Sequence, residues 1–111
     1  MIVKANKEDL VLLYNRAKKK YQECINYKEN EYLKAEINVS LKSIVLSSSA
    51  IKIIFSEENS DSFHLKIYLD LYANNKVIGR YVCIENEKGE IVDDSLDFLL
   101  TFFLWLFVFA P

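Results

Sequence analysis

Glycine, proline, histidine and cysteine are all scarce in this chain. Its 111 residues hold two Gly, one Pro, one His and two Cys. So few glycines leave no room for a Gly-rich loop that cradles phosphates. With one Pro they also argue against long linkers and low-complexity segments. A single His and two distant Cys supply no ligand pair at metal spacing, so no metal or cofactor is expected. No Ser or Cys sits in a nucleophile elbow. The first ten residues carry Lys4, Lys7, Glu8 and Asp9 and so lack the apolar run of a signal peptide. Cys24 and Cys83 are therefore read as reduced thiols of a cytoplasmic protein.

What is present is the composition of an ordinary folded domain, with 51% apolar and 27% charged residues. The length fits one domain, read as an α+β core over 1–97 followed by an apolar segment over 98–111. A net charge of −2 argues against a dedicated nucleic-acid binder. That sum hides a dipole. The first 34 residues hold eight basic and five acidic groups, whereas the last 31 hold one basic and six acidic.

Residues 7–34 read as one amphipathic helix, bent near Asn26–Asn30. Asn6 is suited to its N-cap, with Asp9 closing a capping box. Leu10, Leu13, Tyr14, Ala17, Tyr21, Cys24, Ile25 and Tyr32 form the buried stripe. Arg16, Lys18, Lys19 and Lys20 lie off it, as a solvated face with a Lys19–Glu23 pair or as a patch for an acidic partner. Residues 36–46 fit strand or helix, and their Val and Ile favour strand. Ser47, Ser48 and Ser49 suggest a turn. Beyond it Ile51, Ile53 and Phe55 share one face of a strand.

Phe63, Leu65, Ile67, Leu69 and Leu71 then alternate with His64, Lys66, Tyr68, Asp70 and Tyr72. Asn74-Asn75 supplies a two-residue hairpin turn, because Asn tolerates positive φ. Closing Ala73 against Lys76 predicts Leu71 opposite Ile78, Leu69 opposite Arg80, Ile67 opposite Val82 and Leu65 opposite Ile84. Tyr68 then meets Tyr81 on the outer face, Lys66 meets Cys83 and His64 meets Glu85. Glu87-Lys88-Gly89 makes the next turn, with Gly89 left-handed, and Ile91-Val92 opens a last strand. The sum is a long N-terminal helix packed on an antiparallel meander of about four strands.

Residues 98–110 are apolar apart from Thr101. As a helix they reach ~20 Å, short of the ~30 Å hydrocarbon core of a bilayer. They read better as a strand buried in the core or at a homodimer interface. The alternatives are a membrane tail, or a frameshift or junction at the abrupt change after Asp97.

Chemistry is sparse. His64 beside Glu85 and Tyr68 offers an acid–base group, but a lone strand His is usually an ordinary surface residue. Asp93, Asp94 and Asp97 lack the alternating ligands of a calcium loop. No catalytic residue is assigned. Tyr68, Tyr72 and Tyr81 on an outer face rimmed by Lys66, Asp70 and Glu85 have the look of a binding surface. A meander also brings loop 56–62 and turn 87–89 to one end. That end collects Glu57, Glu58, Asp61, Glu85, Glu87 and Glu90, a surface that can occupy a basic groove.

The N-terminal helix, Gly79-Arg80-Tyr81-Val82-Cys83-Ile84, the acidic turn and Gly89-Glu90-Ile91-Val92-Asp93-Asp94-Ser95-Leu96 resemble the small cytoplasmic immunity proteins of contact-dependent and polymorphic toxin systems. The resemblance covers residues 1–97, and the apolar tail departs from it. It implies a non-enzymatic inhibitor that occludes the active site or substrate surface of one cognate toxin, such as a nuclease with a basic active site. The binding residues would be Glu57, Glu58, Asp61, Tyr68, Tyr72, Tyr81, Glu85, Glu87 and Glu90. Two other classes stay open: a ligand-binding or enzymatic cystatin-like or NTF2-like domain, and a small protein held at a membrane by 98–110.

Overall fold

The structure, a computed structural model, describes residues 5–27, 43–56 and 62–99. Helix α1 spans Lys7–Asn26, and four strands follow: β1 Val45–Phe55, β2 Phe63–Ala73, β3 Lys76–Asn86 and β4 Ile91–Phe98. They form one antiparallel sheet in the order β1-β2-β3-β4. The helix packs on β2 and β3. This is the α+β meander that the sequence predicts.

The start of α1 follows from its cap. Asn6 Oδ1 accepts from the Asp9 amide at 2.8 Å, and Asp9 Oδ2 accepts from the Asn6 amide at 3.3 Å. Two otherwise orphaned donors are thereby satisfied. The helix ends at Asn26, where Tyr27 turns extended, so its continuation to residue 34 is not seen, and 28–34 lie outside the described residues. Ala17, Tyr21 and Ile25 are buried, while Leu10, at the first turn, is 38% exposed. Lys20, not Lys19, pairs with Glu23, at 3.8 Å.

Ile67, Leu69, Leu71 and Ala73 on β2 meet Ile78, Tyr81 and Cys83 on β3 in the core beneath the helix. Two expectations are overturned here. Ser47, Ser48 and Ser49 are not a turn but part of β1, with a bulge between Ser48 and Ala50 absorbing the extra residue. The β2–β3 register is shifted as well. Asn74 and Asn75 have φ of 53° and 63° and close Ala73 against Lys76 as predicted. A bulge at Ile78 then sets Leu71 opposite Gly79, Leu69 opposite Tyr81 and Ile67 opposite Cys83. One inserted residue exchanges the faces of everything beyond it. Tyr81, Cys83 and Glu85 therefore point to the helix, and Arg80, Val82 and Ile84 point away.

Gly79 makes the neighbouring strand possible. A Cβ there would lie 2.5 Å from the Asp97 carbonyl oxygen and 3.1 Å from the Phe98 ring. The strand pair closes on this bare backbone, and the Leu99 amide donates to the Ile78 carbonyl at 2.9 Å. The tail from residue 100, and the residues 36–42 expected to begin a strand, lie outside the described residues.

Candidate functional site

The connection after β1 and the turn after β3 meet at one end of the sheet. The Ser56 amide donates to the Ser62 carbonyl at 3.1 Å, which closes the base of the loop. Ser62 Oγ donates to Glu87 Oε2 at 3.5 Å, which joins that base to the turn. The turn itself is held by Asn86. Its Oδ1 accepts from the amides of Lys88 at 3.0 Å and Glu90 at 2.9 Å. Gly89, at φ 78°, takes the left-handed position expected of it. Glu87 and Glu90 are thus exposed on a stiff turn. Glu57, Glu58 and Asp61 lie outside the described residues.

Glu85 does not belong to this surface. It is fully buried on the helix side, where Arg16 grips it with two bonds, Nη2 to Oε1 at 2.8 Å and Nε to Oε2 at 3.3 Å. The bidentate fork compensates a carboxylate withdrawn from water. Arg16 lies off the apolar stripe among basic residues, and its contact crosses 69 positions of sequence. His64, exposed on the outer face, has no acid–base partnership with the inward Glu85.

Sequence reasoning also missed the polar interior beside that pair. Tyr21 and Tyr81 meet edge to face with ring centroids 5.6 Å apart. The Tyr81 hydroxyl donates to Asp94 Oδ2 at 2.7 Å. Burial, then the bond to Asp94, raise the Tyr81 pKa well above the ordinary phenol range. The Tyr21 hydroxyl, in a side chain 1% exposed, has no hydrogen-bond partner among the described residues. Burial pushes its pKa up to about 12. Cys83 is pushed up to about 11 by burial and then by Glu85 and Asp94. Burial and Asp94 raise Cys24 too. Neither cysteine is in a disulfide, and both hold their protons at neutral pH, unlike a nucleophilic thiolate.

The aspartates are split between the faces of β4. Asp94 points inward, opposite Cys83, whereas Asp93 and Asp97 point outward, opposite Ile84 and Arg80. All three lie within the strand. Among the described residues, no group of three or more His, Cys, Asp or Glu side chains could hold a metal ion.

On the outer face Tyr68 and Tyr72 stand where they were expected, half-buried, and Tyr81 and Cys83 do not. Lys52 Nζ lies 5.1 Å from the Tyr68 ring centroid and the Arg80 guanidinium carbon 5.6 Å from it. Arg80 Nε also donates to Asp70 Oδ1 at 3.2 Å. Two cations therefore brace one aromatic ring at the centre of a face that α1 leaves uncovered.

No family model, curated protein or solved structure matches this chain. No helix among the described residues is long and apolar enough to cross a membrane.

Proposed function

We propose that this chain is a non-enzymatic, protein-binding inhibitor of the immunity type, acting in the cytoplasm on a cognate toxin. Its acidic end lies over the toxin's basic active site or substrate surface, as on a nuclease, and it does not itself bind nucleic acid. The observation that carries this reading is the Ser62–Glu87 contact at 3.5 Å. It joins the foot of the connection in whose sequence Glu57, Glu58 and Asp61 fall to the turn that carries Glu87 and Glu90. The Asn86 bonds keep the turn in shape, so little order is lost on docking. Tyr81 and Glu85, turned inward, drop out of the docking set.

The test is to reverse Glu57, Glu58, Glu87 and Glu90 to Lys and to follow association with the toxin, sought first as the product of the neighbouring gene. The association rate should fall about tenfold or more at low salt, and its salt dependence should flatten. An unchanged rate with unchanged salt dependence eliminates the acidic end as the docking surface.

A ligand-binding domain of the cystatin-like or NTF2-like kind is the second reading. The unpartnered Tyr21 hydroxyl beside the Tyr81–Asp94 and Arg16–Glu85 bonds favours it. A small polar molecule that raises the Tm of the wild type, but not of Tyr21→Phe, would select this reading over the first.

A further inference from the structure

The outer face of the sheet can be written as rows across the four strands. One row runs Lys52, Lys66, Ile84, Asp93. The next runs Ala50, Tyr68, Val82, Ser95, and the next Ser47, Asp70, Arg80, Asp97. Basic charge lies toward the β1 side of the first row and acidic charge toward β4. Lys52 and Lys66 stand directly opposite each other, a like-charge cross-strand pair that destabilises an isolated sheet.

We infer that this face is the interface of a homodimer in which two sheets pack face to face about a two-fold axis parallel to the strands. Such an axis lies over the midline between β2 and β3 and sets β1 of one copy over β4 of the other. Lys52 then faces the partner's Asp93, Asp70 faces the partner's Arg80, and Tyr68 faces the partner's Val82. The charges of the first and third rows thus meet opposite charges at Lys52–Asp93 and Asp70–Arg80, while Lys66 lies opposite the partner's Ile84. The other two-fold axis in the interface plane, perpendicular to the strands, sets β1 over β1 and reverses the order of the rows, so that about the central row Lys52 meets only the partner's Ser47 and Asp93 meets the partner's Asp97, a like charge. Charge complementarity thus selects one packing of the two, and isologous symmetry makes each favourable contact twice. Aligned sheets cross at about 30°, which displaces the β1 and β4 positions by only a few Å, within reach of a lysine stem.

Four strands ~4.8 Å apart and about nine residues long give a face of roughly 500 Å² per copy. The total stands at the low end for specific interfaces, so the dimer is weak and reversible. Both acidic ends fall at the same end of such a dimer. Repulsion between the exposed turns that carry Glu87 and Glu90 is screened beyond about 8 Å at physiological ionic strength. Of the proposed docking residues the interface uses Tyr68 but none of the acidic end, and its test stands or falls independently of any toxin.

The test uses the full chain with K52E and D93K made separately. Light scattering and sedimentation should show the wild type passing from monomer to dimer with rising concentration. Each variant alone should dimerise about tenfold more weakly, since both 52–93 contacts of its homodimer become like-charged. An equimolar mixture should regain wild-type dimerisation, because the heterodimer restores both contacts. Circular dichroism checks that each variant is folded, and regain on mixing is possible only for folded chains. Three outcomes would overturn the inference. One is a wild type that stays monomeric at several hundred micromolar, as it would with residues 100–111 covering the face. Another is a dimer indifferent to both reversals, as for an interface built from the tail. The third is K52E pairing no better with D93K than with wild type, since the Lys52–Asp93 contact would then play no part.

Discussion

Tyr21 and Tyr81 touch edge to face, yet their hydroxyls have opposite fates, and that contrast can be measured. Tyr81 donates to Asp94, whereas the buried Tyr21 oxygen finds no partner among the described residues. A buried polar group without a partner costs ~1–3 kcal/mol, so removing it recovers part of that cost. Tyr21→Phe should be neutral or stabilising by up to ~1–2 kcal/mol in urea unfolding. Tyr81→Phe should destabilise by about 1 kcal/mol or more, because it strands the Asp94 carboxylate. Removing Arg16 is harsher. Arg16→Ala leaves Glu85 charged and buried, at a cost of about 3 kcal/mol, and adding Glu85→Gln should return part of it. Alkali acts on the same cluster. Cys83 and Tyr21 have raised pKa values in the folded protein, about 11 and about 12. Over the interval between the unfolded and folded values the unfolded chain has lost a proton that the native chain keeps. Stability is therefore full below about pH 9 and declines as pH rises through 11 and 12, by ~1.4 kcal/mol per pH unit for each group in its interval. Chemical denaturation at pH 8 and pH 11 checks this, and a flat profile would contradict it.

Each strand shows how far alternation alone can specify a sheet. β2 was legible because its inward residues are all apolar and its outward ones mostly polar, and Leu69 is fully buried as that pattern requires. Leu69→Ala should cost about 2–5 kcal/mol. β3 was not legible, because both of its phases carry apolar residues: Tyr81 and Cys83 in one, Val82 and Ile84 in the other. The turn at Asn74-Asn75 fixed the start of the register, and the bulge at Ile78 then displaced the rest. Two signs were in the sequence. Arg80 was the one charged residue among the predicted inward pairs, and Gly79 is a glycine inside a strand, which often marks a bulge or a close backbone approach. That the connection after β1 and the turn after β3 share one end was legible because meander order alone brings alternate connections together. The Arg16–Glu85 pair was not, since nothing local announces a contact between helix and sheet, and a buried charge reads as a surface one until its partner is known. Gly79→Ala tests the close approach. The added methyl meets backbone, which cannot swing aside as a side chain would. A loss of about 1–3 kcal/mol is expected, with hydrogen exchange quickening in β4 before β2.

The molecule as a whole separates its charges by position. The acidic turn carries Glu87 and Glu90 at one end of the sheet, the outer face carries matched rows, and the interior carries a bonded Arg16–Glu85 pair. Electrostatic changes at the end and on the face should therefore act independently, since distant sites with no shared partner contribute additively. Reversing Glu87 and Glu90 should slow association with a basic toxin while leaving self-association intact, or slightly strengthened by relief of repulsion between the two ends. K52E should do the reverse, weakening the dimer about tenfold and changing the toxin's association rate by less than about twofold. Neither change should move the urea midpoint by more than the equivalent of ~0.5 kcal/mol, as expected for exposed positions. The comparison needs one titration series and one kinetic series on the same four proteins: wild type, each variant and their combination. If K52E slowed toxin binding as much as the acidic reversals do, the partner would be reading the braced Tyr68 face and not the acidic end. The two surfaces would then be one, with self-association and toxin capture competing for it, and raising the protein concentration would slow capture per chain.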